Sequence, residues 1–246
     1  MNENDFSAQL AIIGGTGLYQ LEGFEEIERR TLITRWGEPS SEIVLIENNN
    51  LRIAFLTRHG LQHNIPPHKV NYRANVWALK EMGVKEIISV AAVGGISESM
   101  PPESIVIPDQ IIDYTYSRKH TYFEDELDTV QHIDFTEPYT QSLRNRLLAV
   151  PEDLMDGATY AATQGPRLET AAEIQRLKRD GADIVGMTGM PEASLARELE
   201  IDYACCALVV NWAAGCAGTN KIDHQEMLKI VNKGMLRVKS ILQRVI

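Results

Sequence analysis

Short apolar runs rich in β-branched residues alternate with amphipathic stretches along nearly the whole chain, and the two periods mark different elements. The runs Leu10–Ile13, Ile43–Ile46, Leu51–Leu56, Glu86–Ala92, Ser104–Ile107, Thr159–Thr163, Asp183–Met187 and Tyr203–Val210 have strand length. Asn48-Asn49-Asn50, between the second and third, is turn chemistry and predicts a hairpin. Helical spacing predicts Tyr72–Met82, with Ala74, Trp77, Ala78 and Met82 on one face, and a second helix over Ala171–Arg179. A third spans Pro191–Leu199, where Pro191 suits a first turn, and a long one runs from Gln225 to Val245. Along it Met227, Val231, Met235, Val238, Ile241 and Val245 form a stripe, the expected mark of core or subunit contact. Strands and helices alternating after an early hairpin predict an α/β fold of three layers, a mixed twisted central sheet surrounded by helices. No repeat, low-complexity tract or linker divides the chain, so residues 1–246 read as a single domain.

Composition narrows the function classes. The chain has 246 residues and a net charge of -10, from 24 Lys and Arg against 34 Asp and Glu. This balance argues against nucleic acid as a partner, and an anionic ligand would need a local cradle set against the overall field. Cys205, Cys206 and Cys216 cannot close a disulfide framework and read as buried thiols in a reducing compartment. The N-terminal stretch lacks a signal-type apolar core, and no window approaches the ~20 apolar residues of a membrane span. A cytoplasmic protein with no membrane partner is expected.

Candidate chemistry gathers at strand ends. Gly14-Gly15-Thr16-Gly17 follows the first strand, with backbone N–H groups and the Thr16 hydroxyl available to an anion. It matches neither the dinucleotide fingerprint nor the P-loop, and such a loop is as often a tight turn. Arg58-His59-Gly60 ends another strand, where a guanidinium fork beside an imidazole suits phosphate oxygens. Zinc held by His59, His63 and His68 is the competing reading, weakened by Pro66-Pro67 and the lack of a completing carboxylate or thiol. Ala91-Ala92-Val93-Gly94-Gly95 repeats the strand-then-glycine pattern. Thr188, at a strand-to-helix junction, is either an anion donor or a helix cap. Asn211-Trp212-Ala213 ends the most apolar strand, where Asn is commonly a turn residue.

In order along the chain, GGTGLY, TRHG, PPHKVNYRANVWALK, AAVGGI, TQGPRLETAAEI and VGMTGMPEASLARE resemble the trimeric purine nucleoside phosphorylase / methylthioadenosine phosphorylase family, from about Ala11 to Gly215. The resemblance implies phosphorolysis of a nucleoside to a free purine and a ribose 1-phosphate, with inorganic phosphate as co-substrate and no metal or cofactor. It implies a homotrimer, or a dimer of trimers, with active sites at subunit borders. Carried over by position, Thr16, Arg58, His59, the Ala92 backbone and Thr188 match the family's phosphate contacts, and Met187 matches the residue against the ribose. Leu168 stands where members often carry Phe against the base, and Ala91 where they often carry Thr or Asn. His132, in His132-Ile133-Asp134-Phe135, matches the residue a neighbouring subunit lends to the 5′ end of the sugar; otherwise it is a surface-loop histidine.

Asn211-Trp212-Ala213 bears on the base, because methylthioadenosine phosphorylases carry Asp-x-Asp there. An amide can donate to O6 of a 6-oxopurine and accept from a protonated N7, and ionised Glu169 can accept from N1–H. VVNWAAG, GPRLET and HIDF look most like the subgroup acting on S-methyl-5′-thioinosine. The implied catalytic set is Asn211, His59 and Thr188, and the substrate wall adds Leu168, Glu169, Met187, Trp212, Ala213 and His132. A general inosine/guanosine phosphorylase, a methylthioadenosine phosphorylase and a nucleoside-binding protein without turnover stay open as alternatives.

Overall fold

The apolar runs become inner strands of one mixed sheet because both of their faces are covered. A computed structural model describes residues 6–21, 24–48, 51–124, 129–218 and 221–246. Among these the strands are β1 (Leu10–Gly14), β2 (Glu25–Arg30), β3 (Ile43–Asn48), β4 (Leu51–Thr57), β5 (Glu86–Gly95), β6 (Ile105–Ile107), β7 (Gln110–Asp113), β8 (Leu154–Asp156), β9 (Thr159–Ala162), β10 (Ile184–Gly186) and β11 (Asp202–Trp212). The helices are α1 (Tyr72–Glu81), α2 (Gln141–Leu148), α3 (Ala171–Arg179), α4 (Gly189–Glu198) and α5 (His224–Val245).

Side chains alternate across β11, with Tyr203, Cys205, Ala207 and Val209 entering one core and Ala204, Cys206, Leu208 and Val210 the other. α1 and α4 cover the first face, while α2 and α5 cover the second. Helix, sheet and helix therefore make the three layers that the uninterrupted apolar runs imply. Each fully buried Leu, Ile or Val contributes about 1.5–3 kcal/mol against exposure, so the central strands dominate stability.

Sheet order is β2-β3-β4-β1-β5-β10-β9-β7, with β11 paired to β5 and β6, and β6 to β8. β3 and β4 form the antiparallel hairpin, Asn48 opposite Leu51; Asn49 and Asn50 of the expected turn lie outside the described residues. β1, β4, β5 and β11 run parallel, so their carboxyl ends share one edge. β10 runs antiparallel beside the end of β5, with Val185 opposite Gly94, and delivers Met187 and Thr188 to the same neighbourhood.

Four elements carry too little apolar pattern to be foreseen. β2 is an edge strand of Glu25-Glu26-Ile27-Glu28-Arg29-Arg30, paired only through β3. β7 and β8 are four and three residues long, and α2 buries only Leu143, Arg144 and Leu147. In α4, Met190 keeps extended dihedrals, so helical geometry resumes at Pro191 as its sequence suggests. No helix among the described residues is long and apolar enough to cross a membrane.

Candidate active site

The shared edge opens into a cavity of about 530 Å³, a size suited to a small-molecule ligand. Its wall includes Thr16, Arg58, His59, Ala91, Ala92, Leu168, Glu169, Met187, Thr188, Asn211 and Ala213. Segments from five strand ends thus meet, as expected for an open α/β sheet.

The glycine loop is built for close approach. A Cβ on Gly15 would lie inside the contact distance of the Val90 carbonyl oxygen and 3.1 Å from Arg58 Nη1. Only glycine lets the end of β1 settle against β5 and the guanidinium.

Arg58 differs from its expected role as an open fork. It is fully buried: Nε and Nη2 donate to Glu192 at 2.7 and 2.9 Å, Nη2 also to Ser89 Oγ at 2.7 Å, and Nη1 to the Val90 carbonyl at 3.0 Å. One N–H on Nη1 remains for the cavity. Glu192, also fully buried, accepts a third bond from Tyr203 Oη at 2.8 Å. Burial alone would lower the arginine pKa, but the Glu192 carboxylate outweighs it and raises it further. The pair is charge-neutral, so most donors offered to an anion here are uncharged.

His59 Nδ1 lies 2.9 Å from the carbonyl oxygen of Ile65, which can only accept, so Nδ1 carries the hydrogen and Nε2 keeps its lone pair. Burial, helped by the Arg58 charge, lowers the imidazole pKa to about 4, against a weaker opposing pull from the Ile65 carbonyl. The ring is therefore neutral at pH 7. His63 packs edge-on against it, with centroids 4.8 Å apart. Among the described residues no cluster of three or more metal-ligating side chains forms.

Thr188 separates the two readings its sequence left open. It occupies the N-cap position of α4, yet its side chain makes no cap bond, and the residue is buried on the cavity wall. Its backbone N–H instead donates to Tyr160 Oη at 3.4 Å.

Asn211 and Ala213 face the cavity, but Trp212 does not. The register of β11 shifts between Val209 and Asn211, and Trp212 beyond the shift lines a separate cavity with Ile96, Ile174 and Cys216. The expected contact through Trp212 is thus not on the wall of this cavity, and its carbonyl accepts from Asn211 Nδ2 at 2.7 Å. His132 is exposed and outside the cavity of its own chain. The α5 stripe is not purely core, since Met227 and Val231, with Ile222 before the helix, line the cavity.

Arg118 carries no sequence signal and is central to the architecture. It is buried with no carboxylate partner among the described residues, and all five of its N–H groups find acceptors. Nη1 reaches the carbonyls of Met187 at 2.8 Å and Met190 at 2.7 Å; Nη2 reaches those of Thr163 at 3.1 Å and Gln164 at 2.8 Å. Nε donates to Gln164 Oε1 at 3.1 Å. One guanidinium thus ties the chain leading to Leu168 and Glu169 to the turn that carries Met187 and Thr188.

Chemically, the wall combines hydroxyl, imidazole and backbone groups suited to an oxyanion, a carboxylate and an amide suited to the edge of a heterocycle, and an apolar portion. Residues 9–246 match the sequence profile described as Phosphorylase superfamily. The chain belongs to the phosphorylase superfamily. A relative from Pseudomonas syringae pv. tomato, named a probable S-methyl-5′-thioinosine phosphorylase, is 52% identical over 240 residues, covering 96% of this chain and 97% of the relative. One from Pyrococcus furiosus, named a 6-oxopurine nucleoside phosphorylase, is 44% identical and covers 92% of this chain and 87% of its own. The solved methylthioadenosine phosphorylase of Schistosoma mansoni in complex with adenine superposes with a TM-score of 0.91 at 30% identity, covering 97% of this chain and 91% of that one. Superfamily membership agrees with the fold and with a nucleoside phosphorylase activity.

Proposed function

We propose that this phosphorylase cleaves S-methyl-5′-thioinosine with inorganic phosphate, giving hypoxanthine and S-methyl-5-thio-ribose 1-phosphate. The observation that carries this reading is the pair of polar groups on the cavity wall, Glu169 and Asn211, with Ala213 where adenine-specific members place a carboxylate. Glu169 accepts from N1–H, and Asn211 donates to O6 and accepts from protonated N7. Adenine reverses the pattern at positions 1 and 6, and such polar mismatches cost factors of about 10⁴ or more in discrimination. Ile222, Met227 and Val231 supply apolar surface for a methylthio group. Relatives named probable S-methyl-5′-thioinosine phosphorylases, at 47–52% identity, support the same choice.

Thr16, Thr188, the Ala92 backbone, the free Nη1 N–H of Arg58 and His59 hold phosphate beneath C1′ as nucleophile and counter-charge. With Nε2 unprotonated, His59 accepts a hydrogen from a protonated phosphate oxygen. The C1′–N9 bond breaks through an oxocarbenium-like transition state, as in glycoside cleavage, and the new bond forms between C1′ and a phosphate oxygen. Asn211 stabilises the purine as negative charge builds on its ring. Met187 lies against the ribose and Leu168 packs on the base. Catalysis is mainly positioning and electrostatics, with no cofactor, so dialysis against EDTA leaves the rate unchanged.

Phosphate-dependent base release from methylthioinosine, methylthioadenosine, inosine and adenosine tests the reading. Methylthioinosine is the preferred substrate, and Asn211→Asp shifts preference toward adenine. Preference for methylthioadenosine overturns the base assignment. The Pyrococcus relative favours a second reading, a general 6-oxopurine nucleoside phosphorylase, for which inosine would match methylthioinosine.

A further inference from the structure

Glu169 lines both the main cavity and a smaller neighbouring one of about 290 Å³, whereas Thr163 lines only the smaller. The Thr163 hydroxyl lies 2.6 Å from Glu169 Oε1 and 3.3 Å from the Gly186 carbonyl oxygen. Its backbone is pinned on both sides, the N–H donating to Gly186 O at 2.8 Å and the carbonyl accepting from Arg118 Nη2 at 3.1 Å. A hydroxyl on so fixed a backbone approaches the carboxylate from behind. Glu169 Oε2 has no hydrogen bond among the described residues.

We infer that Thr163 is a specificity-determining positioning residue, because its hydroxyl occupies Glu169 Oε1 and leaves Oε2 as a pure acceptor for the base; this rests on the reading that Glu169 meets the purine at N1. When the carboxylate is ionised, Thr163 donates to Oε1 and Oε2 accepts from N1–H of a 6-oxopurine. When a proton is added on Oε1, Thr163 accepts it and turns its own hydrogen toward the Gly186 carbonyl. Oε2 still presents a lone pair. Adenine, whose N1 is itself an acceptor, needs a proton on Oε2, which replaces the charge-assisted bond from Thr163 to the carboxylate by a weaker one to a neutral carbonyl oxygen. The hydroxyl also stops the carboxylate from rotating about its terminal torsion, which is otherwise broad.

Thr163→Val keeps the shape and removes the hydroxyl, while Thr163→Ser keeps the hydroxyl. The measurement is the ratio of kcat/KM for methylthioinosine to that for methylthioadenosine, with the KM for phosphate followed alongside. Thr163→Val lowers the ratio about ten-fold or more, the scale of one hydrogen bond to a charged group. Thr163→Ser restores it, and the phosphate KM stays near wild type in both. An unchanged ratio in Thr163→Val, with wild type preferring methylthioinosine, overturns the role of Thr163 alone. A ratio lowered equally in Thr163→Ser overturns it too, because the hydroxyl is then not the cause. Wild type preferring methylthioadenosine overturns the base assignment and this inference together.

Discussion

Protonating His59 opposes the fold as the pH falls. Burial and the Arg58 charge place its folded pKa at about 4, below the ordinary 6.5. Between these values the unfolded chain binds a proton that the folded chain does not. The stabilisation is therefore complete above pH 6.5 and is lost as the pH drops toward 4, by about 3 kcal/mol at most. Urea unfolding between pH 7 and 4.5 reads this directly. His59→Asn, which retains a donor for the Ile65 carbonyl, flattens the dependence; parallel curves for the two proteins would refute the assignment. At this scale the residue types were legible and their orientation was not. Arg58 was recognisable as a strand-end arginine, yet four of its five donors turn inward to Glu192, Ser89 and Val90. Thr188 fits both a cap and an anion donor by sequence, and in the fold its side chain is uncapped.

At the scale of elements, α4 meets the end of β4 and β11 through a buried ion pair and its hydrogen bonds. Glu192 on α4 takes two bonds from Arg58 and one from Tyr203 on β11. Removing one partner strands a charge in a dry site. Glu192→Leu is expected to cost about 3–5 kcal/mol, and adding Arg58→Met recovers much of that loss despite abolishing activity. Chemical denaturation of the two single variants and the double variant completes the cycle. A Glu192→Leu loss below about 1 kcal/mol would show that the pair is dispensable to the fold. Long periodic elements were the legible ones: α3 matches its expected span, and α5 starts one residue early. β2, β7, β8 and α2 were not, because edge strands and short elements bury too few side chains to leave a period.

For the whole molecule, the acidic net charge and the oxyanion reading are compatible because the anion's donors are local and mostly neutral. Assembly belongs to this scale as well. His132 is exposed and outside the cavity of its own chain, and a role across the border of a homotrimer is what the family resemblance predicts for it. Light scattering on the eluting protein is expected to give the mass of three chains. His132→Ala then raises KM for the nucleoside while leaving KM for phosphate nearly unchanged. A monomer with full activity would remove His132 from the site.

By itself the sequence determined the α/β class, the inner strands, the long helices and the strand-end position of the chemistry. Those properties follow from local periodicity and from the backbone demands of glycine and proline, which act over a few neighbouring residues. Only the tertiary structure decided that Trp212 turns away, that Met227 and Val231 reach the cavity, and that Arg118 binds two walls together. The Arg118 bridge depends on pairs 45 to 72 positions apart, such as Arg118 with Thr163, Gln164 and Met190, for which neighbouring residues leave no trace. The Thr163 hydroxyl behind Glu169 is nearer in sequence, six positions away, but it is the turn between that brings hydroxyl and carboxylate into contact.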